Sequence, residues 1–90
     1  MEPTIELSDT LNVSSVARQR EQLQKALKES QAGLRLNAQQ LASIDTAGLQ
    51  LLVVVQQEAR RQSKAFALVG SNDMLRSQCQ ALGLVEILAL

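Results

Sequence analysis

The chain has 90 residues, of which 46% are hydrophobic and 20% charged, so it is long enough for one small domain with a single core. This composition is typical of a folded globular protein and excludes a disordered chain. Nine basic residues balance nine acidic residues, and the resulting net charge of zero argues against nucleic-acid binding through a broad basic field.

The side chains that are missing narrow the function further. The chain has no His, which removes the commonest general base at neutral pH and the commonest metal ligand. It has no Trp or Tyr, and its single Cys79 suits a reducing compartment without an internal disulfide. The longest apolar run, from Leu51 to Val55, is too short to span a bilayer, and the N-terminus does not resemble a signal peptide. We therefore expect a cytoplasmic, non-enzymatic protein with no cofactor, no metal, no membrane insertion and no direct contact with nucleic acid.

The first third of the chain predicts two short strands and a helix. Residues 4–8 alternate between polar and apolar, which is typical of a half-buried strand, and residues 11–13 are predicted as a second strand paired with the first. Ser14 or Ser15 then caps a helix, which Gly33 ends at its C′ position. The predicted apolar stripe of this helix consists of Val16, Leu23, Ala26, Leu27 and Ser30. The polar residues predicted to face away from that stripe are Arg18, Gln19, Glu21, Gln22, Lys25 and Lys28.

The middle of the chain contains one ambiguous segment. Residues 33–38 predict a third strand, and residues 39–44 predict a loop with Leu41 and Ile44 turned inward. Residues 51–55 are β-branched and apolar, and alone they resemble a buried strand. The run continues without a turn signal into good helix formers, with basic residues in the last turn. We therefore predict a helix from Thr46 to Gln62, with its apolar stripe at Gly48, Leu49, Leu52, Val53, Val55 and Ala59.

The last third predicts a strand and a helix. Residues 65–69 are apolar on both faces, as expected of a central strand, and residues 70–73 form a turn that caps the third helix. The apolar stripe of that helix is predicted at Met74, Leu75, Cys79 and Leu82. Gly83 ends the helix, and residues 84–90 form an apolar segment of undetermined type. The order of elements predicts a single α/β domain over residues 1–90, with a small mixed β-sheet and helices packed by βα crossovers.

One stretch, from Ser43 to Leu52, joins polar, small and apolar residues in a way that suggests a site. Asp45 and Thr46 are both good N-cap residues for the helix that follows. Ala47 and Gly48 leave the first turn with little side-chain cover, which places the hydroxyl of Thr46 in the open. A plain helix cap would explain the Asp-Thr pair equally well, and Gly48 can serve close helix packing.

The layout around this stretch resembles the STAS domain family, named for sulphate transporters and anti-sigma factor antagonists. The family pattern is Asp, then Ser or Thr, a small residue, Gly, and Leu or Val. Here it reads Asp45, Thr46, Ala47, Gly48 and Leu49, between a predicted strand and a predicted helix. Further similarity lies at residues 34–37, 66–70 and 82–88, so the resemblance covers nearly the whole chain.

The resemblance implies a signalling function. The chain looks like the free-standing bacterial type, the anti-sigma factor antagonist, in which the Ser or Thr after the Asp accepts a phosphate from a serine kinase. Thr46 would take that role here, and the unphosphorylated domain would bind the kinase, which is also the anti-sigma factor. A phosphatase would reset the switch. The chain departs from the sporulation members by having Thr46 in place of Ser, and Asn37 stands where the family often has Asp.

The resemblance leaves the partner open. A variant places the protein in a chemotaxis or other two-component pathway with a different kinase. A second hypothesis is a subunit of a lipid-transport ABC system that docks on its ATPase, and a third is a scaffold domain whose Thr46 is never modified. All of them use one predicted partner-binding surface, formed by Ser43, Asp45, Thr46, Ala47, Gly48 and Leu49.

Overall fold

The computed structural model describes residues 3–70 and 73–84, which form an α/β fold. The strands are β1 (Thr4–Glu6), β2 (Thr10–Leu11), β3 (Gly33–Asn37), β4 (Ser43–Ile44) and β5 (Ala65–Val69). The helices are α1 (Val16–Glu29), α2 (Thr46–Arg61) and α3 (Asp73–Ala81). The predicted fold class, α/β with helices in the connections between strands, is confirmed, and so is the helix predicted over the ambiguous run at residues 51–55.

The strands form two small sheets, in the orders β1-β3-β5 and β2-β4, and all strand pairs in residues 3–70 and 73–84 are parallel. The antiparallel pairing that a mixed sheet requires is therefore absent from these residues. The predicted pairing of the first two strands is wrong, because β1 pairs with β3 and β2 pairs with β4. The predicted loop before α2 contains β4, where the backbone N–H groups of Ser43 and of the preceding Ala42 donate hydrogen bonds to the backbone oxygen of Asp9 at 3.1 and 2.8 Å.

The core lies between the sheets and the helices, where α1 and α2 pack on each other. Leu34 and Leu36 of β3 are fully buried, and so are Leu23, Leu52 and Val55 from the predicted apolar stripes of the helices. Leu41 and Ile44 also point inward, at 2% and 5% exposure, which confirms the prediction for that segment.

Gln19 is a correction to the predicted faces of α1. The residue was expected at the surface, yet it is only 7% exposed. It lies three residues after Val16 and four before Leu23, so helical spacing puts it on the apolar stripe despite its polarity. Its Nε2 donates to Oε1 of Gln22 at 2.8 Å, and its own Oε1 accepts from the Ser8 hydroxyl at 3.4 Å.

Gly33 is a second correction, because α1 ends at Glu29 and Gly33 instead begins β3. Its φ is +133°, and a Cβ at this position would collide with the backbone of Ala65 on the neighbouring strand. The position therefore needs glycine for the close approach of two strands rather than for the end of a helix.

The C-terminal third agrees with the sequence except at two points. β5 lies at the edge of its described sheet and β3 in the centre, so the prediction of a central strand there is wrong. Leu82 is 53% exposed and does not belong to the buried stripe. Gly83 ends α3 as predicted, with φ of +70°, a bond from its N–H to the oxygen of Gln80 at 3.2 Å and one from Leu84 to Cys79 at 2.8 Å. The predictions for residues 71–72 and 85–90 lie outside the described residues.

Candidate functional site

Asp45 organises the start of α2. It is the N-cap residue in an extended conformation, and its Oδ1 accepts a hydrogen bond from the backbone N–H of Gly48 at 3.0 Å. Its own N–H donates to the backbone oxygen of Leu11 at 3.1 Å, which joins the helix start to β2. The cap that the sequence predicted is therefore present, and one of the first-turn N–H groups of α2 is satisfied.

The second carboxylate oxygen of Asp45 reaches a different part of the chain. Oδ2 accepts a hydrogen bond from the backbone N–H of Val13 at 3.1 Å. Val13 lies in the turn between β2 and α1, where Oδ1 of Asn12 accepts from the N–H of Ser14 at 2.9 Å. One carboxylate thus holds the start of α2 and the turn before α1 together. This use of both oxygens shows a structural role for Asp45, which its position in the motif did not reveal.

Thr46 is the first residue of α2, and its side chain is exposed. Its hydroxyl has no hydrogen-bond partner in residues 3–70 and 73–84. The side chain of Thr46 is therefore accessible to a partner surface or to a modifying enzyme.

The small residues of the motif serve close packing. A Cβ on Gly48 would lie 2.7 Å from Cγ1 of Ile44 and would collide with the backbone oxygen of Leu11. Only glycine lets the first turn of α2 lie directly on β2 and β4 at this distance. Leu49, the next residue, is 1% exposed and belongs to the core.

The predicted site residues therefore divide into two groups. Ser43, Asp45 and Thr46 are exposed, and Ala47 is half-buried. These four residues lie around the start of α2, and Ile44, the one residue between them, is buried. Gly48 and Leu49 are buried beneath them and support this surface from below. We call the surface formed by Ser43, Asp45, Thr46 and Ala47 the Thr46 surface.

An uncharged face of α2 continues the Thr46 surface. The helix carries no charged residue from Thr46 to Gln57. This holds even for its solvent-facing positions Gln50, Val54 and Gln57, which are exposed. Val54 is 40% exposed, and Val13 beside Asp45 is 72% exposed. The cores of protein–protein interfaces are likewise depleted in charged residues. The gap in charge is visible in the sequence, whereas the exposure of Val54 within the apolar run of residues 51–55 is known only from the structure.

Two grooves flank the exposed face of α2. The α1–α2 groove has a volume of about 760 Å³, and its lining includes Ala17 and Gln24 of α1 with Ala47 and Val54 of α2. The second groove, of about 410 Å³, runs from Thr46 to the end of α3. Its lining residues are Thr46, Leu49, Gln50, Val53, Val54, Leu82 and Leu84. The exposed part of α2 is thus a ridge between two depressions, which the sequence did not predict.

Cys79 is not part of this surface. It is fully buried in α3, as predicted for a small core residue, and burial raises the pKa of its thiol. A protonated thiol without access to solvent is a poor nucleophile, so Cys79 contributes packing and no reactivity to the fold.

The comparisons with known proteins identify the family. The family model described as "Mlab, STAS domain" matches residues 1–89, and no curated protein matches the chain. STAS domains are generally non-enzymatic and mediate protein–protein interactions. Within the described part of the chain, no helix has the length and hydropathy needed to cross a membrane. The α/β fold, the capped start of α2 and the match over almost every residue together show that the chain belongs to the STAS domain family.

Proposed function

We propose that this STAS domain is a signalling switch of the anti-sigma factor antagonist type, which binds a protein partner through the Thr46 surface. The partner is a serine/threonine kinase that phosphorylates Thr46 and thereby loses its hold on the domain. The observation that carries the proposal is the exposed hydroxyl of Thr46, which has no hydrogen-bond partner among the described residues and lies on a face of α2 that bears no charge.

The electrostatics of the Thr46 surface support a switch in binding rather than in folding. A phosphate on Thr46 would add a charge of about −1.5 to −2 at the N-terminus of α2. The free first-turn N–H groups and the helix dipole favour an anion there, so the domain itself stays folded. A partner fitted to a neutral hydroxyl would instead have to desolvate that charge beside the carboxylate of Asp45. A coupling of about 1–3 kcal/mol would loosen the complex about 5- to 150-fold.

The family resemblance supports a pathway for this switch. The kinase would be an anti-sigma factor, or a kinase of a chemotaxis or other two-component pathway, and a phosphatase would return Thr46 to its free form. The domain would act in the cytoplasm and control transcription through its partner, without touching nucleic acid itself.

A second candidate function is supported by the apolar character of the same face. Val54 and Leu82 are 40% and 53% exposed on either side of the second groove. Permanent complexes have more hydrophobic interfaces than transient ones, and this favours a domain that remains bound to its partner. The corresponding hypothesis is a subunit of a lipid-transport ABC system that docks on its ATPase and is never released by phosphate. An unmodified scaffold domain would share that behaviour with a different partner.

Co-purification separates the two candidates. The tagged chain, isolated from its native cells, should recover a serine/threonine kinase if it is a switch and a membrane-associated ATPase if it is a transporter subunit. Recovery of an ATPase with no kinase would contradict the switch.

Substitutions at Thr46 test the role of the hydroxyl. Thr46→Glu should fold but bind the partner weakly, whereas Thr46→Ala should remain bound when ATP is present. Gln31→Glu is the matched control. It adds the same charge at an exposed position that follows the C-terminal end of α1. Equal binding by Thr46→Glu and the control, together with no mass increase of Thr46 after kinase treatment, would contradict phosphorylation.

A further inference from the structure

The α1–α2 groove begins at the Thr46 surface and extends away from it. Because α1 and α2 each connect parallel strands, they run in the same direction, and their N-terminal ends lie together where Val13 bonds to Asp45. Ala47, which follows Thr46, lines the groove at this end. A partner that covers Thr46 therefore meets the mouth of the groove directly.

Both walls of the groove repeat at helical spacing. The α1 wall includes Ala17, Glu21 and Gln24, and the α2 wall includes Ala47, Leu51 and Val54. Positions separated by three or four residues lie on one face of a helix, so each wall is a straight row over about 10 Å. The apolar lining residues are Val16, Ala17, Ala47, Leu51 and Val54, and a groove between two helices with such a lining can receive the apolar face of a third helix.

The charge on the two walls is unequal. The α2 wall is uncharged, whereas the α1 wall carries Arg18 and Arg20 against the single acidic residue Glu21. A helix lying in the groove would therefore place one of its edges beside a surplus of positive charge. Acidic residues along that edge would complement the arginines, and basic residues would be repelled.

We propose that the α1–α2 groove receives an amphipathic helix of the partner protein, with apolar residues three or four apart and acidic residues along the edge that faces α1. The inference rests on the proposed function in one respect, since it takes for granted that a partner covers the Thr46 surface. It adds the kind of element that recognises the domain, and it makes Arg20 a determinant of partner choice that phosphorylation of Thr46 does not alter.

Site-specific photo-crosslinking of the full chain in its native cells tests the groove and the Thr46 surface separately. Benzoylphenylalanine placed at Gln24 probes the groove, and the same group at Ser43 probes the Thr46 surface outside it. Gln31, an exposed position after the end of α1, is the control. The groove is supported if Gln24 links to a partner segment with apolar residues three or four apart and acidic residues beside them.

Each other outcome overturns the inference and has a distinct meaning for the proposed function. If only Ser43 links to a protein, the groove is not used but the Thr46 surface is. If Gln24 links to a second copy of the chain, to the C-terminal segment of the same chain or to a basic segment, the occupant is different from the one proposed. If neither position links above the level at Gln31, the Thr46 surface is not an interface either.

A charge reversal tests the acidic edge with the partner that the crosslink identifies. Arg20→Glu should weaken binding about tenfold, and the loss should shrink at high salt because exposed charges are screened. Lys25→Glu makes the same change at an exposed position of α1 that does not line the groove, and it should leave the affinity within about twofold. Equal effects of the two variants would overturn the acidic edge.

Discussion

Replacement of Asp45 by Ala removes two hydrogen bonds from one exposed carboxylate. The first is the cap on Gly48 at 3.0 Å, and the loss of such a cap typically costs about 1 kcal/mol. The second is the bond from Val13 at 3.1 Å, which is partly solvated and contributes about 0.5–1.5 kcal/mol. We expect Asp45→Ala to lower the free energy of unfolding by about 2 kcal/mol, a large share of the reserve of a small domain.

Asp45→Asn divides this loss between the two contacts. Asn is a good N-cap residue, and its side-chain oxygen can still accept from Gly48, but its NH₂ group cannot accept from Val13. The variant should therefore lose about half as much stability as Asp45→Ala, about 1 kcal/mol.

Urea unfolding at neutral pH, with amide hydrogen exchange read at Val13 and Gly48, measures both effects. Asp45→Asn should speed exchange at Val13 and leave Gly48 protected, whereas Asp45→Ala should speed exchange at both amides. A loss below about 0.5 kcal/mol for Asp45→Ala, with unchanged exchange at Val13, would refute the view that this carboxylate joins α2 to the turn before α1.

Three further predictions concern packing. Gly48→Ala should destabilise the domain by about 1–3 kcal/mol in urea unfolding, because its Cβ meets Ile44 at 2.7 Å and the backbone of Leu11; an unchanged midpoint would contradict that close approach. Lys64→Met should cost about 1 kcal/mol by removing the 2.7 Å bond from its Nζ to the backbone oxygen of Leu27, and Lys28→Met, which changes an exposed side chain, is the control. The buried Cys79 thiol should react with a thiol reagent far more slowly in the folded domain than in urea at the same pH. Because burial raises the pKa of this thiol, the thiolate form should stay depleted under mildly alkaline conditions. Fast labelling of the folded domain would show instead that the side chain is accessible.

Local signals predicted α2 and its N-terminal cap correctly. The cap at Asp45, the helix formers after residue 55 and the spacing of the apolar residues together outweighed the strand-like run in the middle of the helix. These are signals between near neighbours, and the exposure of Thr46 was predicted from the small residues Ala47 and Gly48 that follow it. The resemblance to the STAS family, which the family match confirms, is the reason why this stretch is predicted as a site.

Contacts between distant residues could not be predicted in the same way. The pairing of β2 with β4 depends on Asp9, Ser43 and the backbone between them, and a two-residue strand carries too little pattern to choose its neighbour. Gly33 was predicted to end a helix because glycine is common there. Its close approach to Ala65 links residues that are far apart in the chain, and such a contact leaves no local signal in the sequence. Gln19 was placed at the surface by its polarity, although its position in the helix decided its burial.

The site shows the same division between local and distant information. The order of residues placed Asp45 and Thr46 correctly at the start of α2 and Leu49 on its apolar stripe, but it could not show that Val13 lies exposed beside them. The bond between Val13 and Asp45 and the α1–α2 groove exist only because α1 and α2 pack side by side. Sequence reasoning therefore placed the Thr46 hydroxyl at an exposed helix start, but it did not predict that Val13 and the α1–α2 groove lie beside it.

The affinity of the partner for two forms of the chain tests the central claim most directly. One form carries phosphothreonine at position 46, incorporated during synthesis, and the other carries free Thr46, with the partner recovered by co-purification. The account predicts that the phosphorylated form binds about 5- to 150-fold more weakly and unfolds at the same urea concentration as the free form. Equal affinities of the two forms, or unfolding of the phosphorylated domain on its own, would contradict a switch that acts on binding.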